Sequence, residues 1–242
     1  MTTHLKKQDI KNPDIVTLEL KKGFQWTRTH AKLTLFLSLA FLAVGIGYSI
    51  YQYFSEQAET AAQESFYKVE LEYLKLQDSA KPKTEKNKPT PAPVVVDYEP
   101  VAQKFAAVIS NHSSSRAALL AFLDYSEIKV KNKNYEDVIK SSEKLKLGSD
   151  LLSALVLMEK GNAEANSKNC QQAITTWEKI LSLKSSQSIY PEVHLQQALC
   201  YESLNNGIQA EANYNKVLAE AKDSAAAKSA EKYLRLLKSK VN

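Results

Sequence analysis

The apolar and polar positions divide the chain into three regimes. Leu33 to Ile50 reads LTLFLSLAFLAVGIGYSI without a charge, and the uncharged run continues to Ser55. At about 1.5 Å per residue, twenty-odd helical residues reach roughly 30 Å, the thickness of a bilayer core. Tyr48, Tyr51, Tyr53 and Phe54 crowd the far end, where aromatic rings favour the headgroup boundary, and Arg28 and Lys32 close the near end. Beyond the run, Ala58, Ala62, Phe66, Val69, Tyr73 and Leu76 recur at three- and four-residue steps, one face of a continuing helix. Ser79 to Asp97 then breaks the pattern with Pro82, Pro89, Pro91 and Pro93 among four lysines, which predicts an extended spacer.

From Tyr98 onward the periodicity is helical again and repeats itself. Gly161 is followed after twelve residues by Ala173, then by Trp177 and Ile180. Ala198 is followed after twelve by Ala210, then by Tyr214 and Val217. Two helices joined by a tight turn need this arrangement. A small residue lets the axes approach, and a ring fills the gap one turn later. A weaker copy starts at Asn134 with Val138 and Leu145 in place, but Ser142 stands where the ring belongs. A fourth is predicted at Val101, Phe105 and Val108, paired with the helix through Phe66. The markers at 101, 138, 173 and 210 are spaced 37, 35 and 37. The last predicted helix, Ser224 to Lys240, has one apolar face and a polar back, suited to closing a stack.

Charge sharpens the picture of the first region. Residues 1–32 hold seven basic and three acidic side chains, so +4 of the formal +5 lies there. The remainder is nearly neutral, and the basic balance gives no argument for nucleic acid. In the twenty residues after Ile50 only Lys68 is basic, against Glu56, Glu59, Glu64 and Glu70. The positive-inside rule therefore predicts a cytoplasmic N-terminus, with the C-terminal bulk across the membrane. Two other readings of the apolar run stay open. A buried core helix lacks apolar surroundings elsewhere in the chain. A cleaved signal ending near Thr60-Ala61-Ala62 is normally a shorter apolar run. Phe24 and Trp26 beside Lys21, Lys22 and Arg28 suit a segment on the membrane surface. Ala43-x-x-x-Gly47 allows two spans to pair, so a homo-oligomer remains an option.

Catalytic chemistry is sparse. Six glycines provide no phosphate-cradling loop, and His4, His30, His112 and His194 belong to no metal-ligand or metalloprotease spacing. His112 and His194 are expected at the surface. Cofactor and metal are therefore expected to be none, and the protein is expected not to be an enzyme. Cys170 and Cys200, without a CxxC, read first as two free half-buried thiols. The helical register nonetheless brings both to the same end of the stack, which keeps a bridge as the second option.

The residues Gly161, Ala173, Trp177, Ala198, Tyr201, Ala210 and Tyr214 resemble the markers of the tetratricopeptide repeat. The expected fold is therefore all-α: a single transmembrane helix followed by a tetratricopeptide-repeat-like helical solenoid. Its expected parts are a cytoplasmic leader 1–32, the transmembrane helix 33–54, a membrane-proximal helix 55–78, a Pro/Lys-rich insert 79–97, and the repeat domain 98–242 with its capping helix. In such stacks the first helix of each pair lines a concave groove that binds proteins. By register the groove candidates are Leu123, Glu127, Lys131, Met158, Asn162, Asn166, Leu195, Leu199 and Glu202. A Lys/Asn clamp for C-terminal carboxylates is not matched, because only Asn162 fits, while Met158 and Glu192 occupy lysine places.

The whole plan is similar to the ancillary, YfgM-like subunit of the bacterial Sec translocon. That resemblance implies a single-pass inner-membrane protein with a periplasmic C-terminal domain. It implies translocon subunits, periplasmic chaperones or client chains as partners, with lipid around the span. An adaptor in cell-envelope assembly or cell division is the alternative on the same fold.

Overall fold

The computed structural model describes residues 15–81 and 96–241. Among them are ten α-helices, one short 3-10 helix at Lys184–Ile189, and no strand. The expected spacer falls largely on 82–95, outside the described residues. The chain divides into two units, 1–56 and 57–242.

In the first unit, α1 spans Ile15–Thr29, and α2 (Ala31–Ala80) begins directly after it. Trp26 and His30 stack their rings at 4.9 Å. The apolar run on α2 is exposed throughout, with Phe41 81% and Val44 71% accessible. Among the described residues no core covers these side chains, so the buried-helix reading fails. The helix is long and apolar enough to cross a membrane.

The second unit contains the end of α2, then α3 (Glu99–Asn111), α4 (Arg116–Lys131), α5 (Tyr135–Ser142), α6 (Leu151–Asn166), α7 (Cys170–Leu181), α8 (Tyr190–Ser203), α9 (Gly207–Glu220) and α10 (Ala225–Val241). Each helix packs on the next. In addition, α4 touches α6, α6 touches α8, and α8 touches α10. The even-numbered helices therefore share one layer.

Three cores run along the unit. In the first, Phe66 and Tyr73 of α2 meet Phe105 of α3, with ring centroids 6.2 and 5.7 Å apart. This is the pairing that the periodicity predicted. In the second, α6, α7 and α8 enclose Trp177. In the third, Tyr214 is held by α8, α9 and α10. Trp177 and Tyr214 are both fully buried. Gly161 explains why: a Cβ there would come within 2.6 Å of the Trp177 ring, so only glycine lets α7 lie this close to α6. Where Ser142 replaces the ring, α5 is only eight residues long, and the Ser142 hydroxyl turns back to the Ile139 carbonyl (2.6 Å).

The turns repeat as closely as the cores. Lys133, Lys168 and Asn205 adopt left-handed backbone, with φ of 60°, 66° and 58°. Each is followed by an asparagine whose backbone N–H reaches the carbonyl five residues back. These bonds are Asn134 to Lys129 (2.8 Å), Asn169 to Glu164 (2.9 Å) and Asn206 to Tyr201 (2.8 Å). That bond closes a helix C-terminus, and the next helix starts at once. The Asn169 and Asn206 side chains cap it by accepting from Gln172 and Gln209. Elsewhere Ser115 and Asp150 cap α4 and α6, and Glu59 of α2 also accepts from the first N–H groups of α4 (3.1 Å from Arg116).

Buried polar groups are mostly matched. Lys129 lies between Glu99 (2.7 Å) and Asp137 (3.4 Å). Glu164 accepts from Thr176 at 2.7 Å. His194 corrects the surface expectation: it is 5% exposed, and its Nδ1 donates to Asn213 Oδ1 at 3.1 Å. Burial pushes its pKa down against the pull of Glu220, which favours the neutral ring.

Candidate partner-binding cleft

A cavity of about 710 Å³ opens beside the second core. Helix α6 contributes Glu159, Asn162 and Asn166, and α8 contributes Gln196, Leu199 and Ser203. Val130 of α4, the turn residue Lys168 and the Trp177 ring complete much of the wall. The cavity exists because α6 and α8 touch only lightly, while α7 fills the space behind them.

Its floor is tied by a covalent bond. Cys170, at the start of α7, and Cys200 of α8 form a disulfide with Cα atoms 5.2 Å apart. Free thiols, the first reading from the sequence, are thus replaced by the bridge. The register argument had the right geometry: one cysteine opens a second helix and the other ends the following first helix. Ser203 Oγ lies 3.1 Å from Cys170 Sγ.

The nine groove candidates are distributed unevenly. Asn162, Asn166 and Leu199 line the cavity. Glu127 and Lys131 are exposed and pair with each other at 2.6 Å, the first about one turn before the Val130 wall position and the second directly after it. Leu123 is half-buried against the first core. Glu202 is engaged by the Tyr214 hydroxyl, which donates to it at 2.5 Å. Burial and this carboxylate push the Tyr214 pKa far up, so its proton stays. Met158 and Leu195 are 7% and 6% exposed in the second and third cores, and the groove assignment is corrected for both. Register alone misplaced them because each sits on the flank of its helix that turns toward the following pair.

Sequence reasoning missed a cluster of carboxylates. Glu159 is half-buried, and burial, then Glu127, raises its pKa. Asp124 is raised to about 6 by burial, then by Glu70 and Glu127. No described residue forms an ion pair with Asp124, Glu159 or Glu70, and Lys131 is taken by Glu127. The signal in the sequence was slight: Asp124 and Glu159 each lie fourteen residues before a repeat marker, Val138 and Ala173, and their nearness to Glu70 and Glu127 is invisible until the helices are stacked. No group of three His, Cys, Asp or Glu side chains among the described residues is placed to hold a metal ion.

Two buried side-chain atoms lack hydrogen-bond partners among the described residues: Asn162 Oδ1 and Trp177 Nε1. Both side chains line this cavity. No family model matches the sequence, and no curated protein is significantly similar to it.

Proposed function

We propose that this protein is a membrane-anchored protein-binding scaffold. Its second unit reads as a degenerate tetratricopeptide-like solenoid of four helix pairs and a capping helix. The observation that carries this reading is the recurrence of one turn. The left-handed residues at 133, 168 and 205 are 35 and 37 apart, the spacing of the Val138, Ala173 and Ala210 markers. A repeated sequence unit and a repeated backbone geometry have the same period. A stack whose even-numbered helices touch one another more than the intervening helices do bends with the even layer inside. The cavity opens on residues of that layer.

The exposed apolar stretch of α2 serves as the anchor, with the N-terminus in the cytoplasm and the second unit in the periplasm of a bacterial inner membrane. The Cys170–Cys200 bridge supports this, since disulfides persist in oxidising compartments. With no catalytic constellation assigned, the groove's work is recognition. Handing over emerging chains beside the Sec translocon, in contact with its subunits or with periplasmic chaperones, fits such a tethered groove.

A photo-crosslinking residue at position 162 in living cells tests the assignment. Recovery of translocon subunits, periplasmic chaperones or exported chains supports it. Recovery of division or cell-wall proteins alone refutes the export role, and labelling of the second unit from the cytosolic side refutes the topology.

A further inference from the structure

One face of α2 in the second unit has no cover. Phe66 and Tyr73 of this helix pack on Phe105 of α3, but Tyr67, Leu71 and Leu74 on its other side are 57%, 38% and 50% exposed. A row of large apolar side chains facing water marks an interaction surface. Lipid does not cover it, because Glu56, Glu59 and Glu64 lie between the apolar run and the row. The spacing points to the occupant. Positions 67, 71 and 74 are d, a and d of a heptad, the seam of a two-helix coiled coil. In that register Glu70 takes a g position and Lys75 the e position of the next heptad. In a parallel pair, g of one helix faces that e of the other, so two copies set Glu70 against Lys75 twice about the symmetry axis. Neither side chain forms an ion pair within its own copy among the described residues. Glu64, an acid at a seam position, already holds Lys68 at 2.8 Å, which offsets its charge. In the sequence the same seven-residue steps run back from Tyr67 through Thr60 and Tyr53 to Ile46 and Leu39. Lipid competes for that part, so the water-facing row decides the pairing. Two copies anchored in one membrane with the same topology run parallel, the arrangement these charges need.

We propose that α2 pairs in parallel with α2 of a second copy of this chain. Tyr67, Leu71 and Leu74 form the seam, and Glu70 of each copy binds Lys75 of the other. The face that carries Phe66 and Tyr73 stays on its own α3, so pairing leaves the fold unchanged. So short a seam does not hold free helices together; the shared membrane supplies the rest by raising the effective concentration. The inference rests on the anchored-scaffold reading and gives that scaffold two clefts instead of one.

The test uses the full-length protein, in native membranes and in dilute proteoliposomes of phosphatidylethanolamine and phosphatidylglycerol. The native cysteines are bonded to each other, so an added cysteine is the only free thiol. On mild oxidation Tyr67→Cys and Leu74→Cys should give a dimer-sized band. Ser79→Cys, exposed on the same helix but off the seam, should give a band at least about fivefold weaker. In the Tyr67→Cys background, Glu70→Lys should cut the dimer about fivefold, as for two reversed surface ion pairs. Adding Lys75→Glu should restore it, an outcome that a role within one copy does not produce. Unchanged circular-dichroism melts show intact folding. Equal bands at 67 and 79, no band at 67 and 74, or a charge swap that fails to restore the dimer overturns the proposal. So does a crosslinked product of another size from native membranes, which marks a different protein as the occupant. If the dimer fails while the protein resists carbonate extraction, the anchored reading stands without it. If the protein also washes off the membrane, both fall.

Discussion

Gly161→Ala adds one methyl group at the most crowded point of the fold. The new Cβ would lie 2.6 Å from Trp177 Cδ1 and 2.7 Å from Cε2, where ordinary contact begins near 3.4 Å. The indole cannot retreat, because it is fully buried among α6, α7 and α8. The α6–α7 seam must therefore open by several tenths of an ångström, losing contacts along its length. Overpacking of this kind costs about 1–3 kcal/mol, and a shift forced on a rigid ring belongs at the upper end. Alanine recovers about 1 kcal/mol through its helix propensity. The net expectation is a loss of about 2 kcal/mol. For a domain of this size that is a fall of about 4–8 °C in Tm. Urea unfolding of the full-length protein, followed at 222 nm, measures it. Gly207→Ala is the control: its nearest neighbour would be Leu237 Cδ1 at 3.9 Å, so the same change should be neutral or stabilise by up to about 1 kcal/mol. Adding Trp177→Phe should rescue part of the Gly161→Ala loss, since a smaller ring accepts the methyl. Equal shifts for the two glycine variants, or no rescue, would refute the account of the seam.

The disulfide closes a segment of 30 residues, and on chain entropy its loss in Cys170→Ser/Cys200→Ser should cost about 3–4 kcal/mol; an unchanged urea midpoint would refute a stabilising bridge. Asp124, raised to about 6 in the fold, gives a pH dependence of unusual sign. Below about pH 4 both folded and unfolded states are protonated and the group contributes nothing. Between about 4 and 6 only the native state holds the proton, so stability falls as pH rises, levelling off about 3 kcal/mol lower above that. Asp124→Asn should remove this slope and stabilise at pH 8, and a slope identical to wild type would sink the argument. Lys133 holds φ at 60° in an exposed turn, so Lys133→Gly should raise stability by up to about 1 kcal/mol in thermal melts.

Much of the fold was legible in the residues because helix packing is written in local periods. The exposed apolar stretch of α2, the helix through Val101 and Phe105, its partner through Phe66 and the closing helix α10 all occur where the spacing of apolar side chains predicts them. Gly161 and Trp177 could be paired because a small residue and a ring twelve plus four positions on must meet in a tight hairpin. What the tertiary structure alone decided depends on rotation between helices that are distant in sequence. Met158 and Leu195 are core rather than groove, His194 is inside rather than at the surface, and Cys170 and Cys200 are joined rather than free. The carboxylates of Glu70, Asp124, Glu127 and Glu159 come from three helices, and only the angle at which those helices stack makes one surface of them. A period tells which face of a helix is buried. It does not tell which neighbour lies beyond the edge of that face, and that is where the cavity formed.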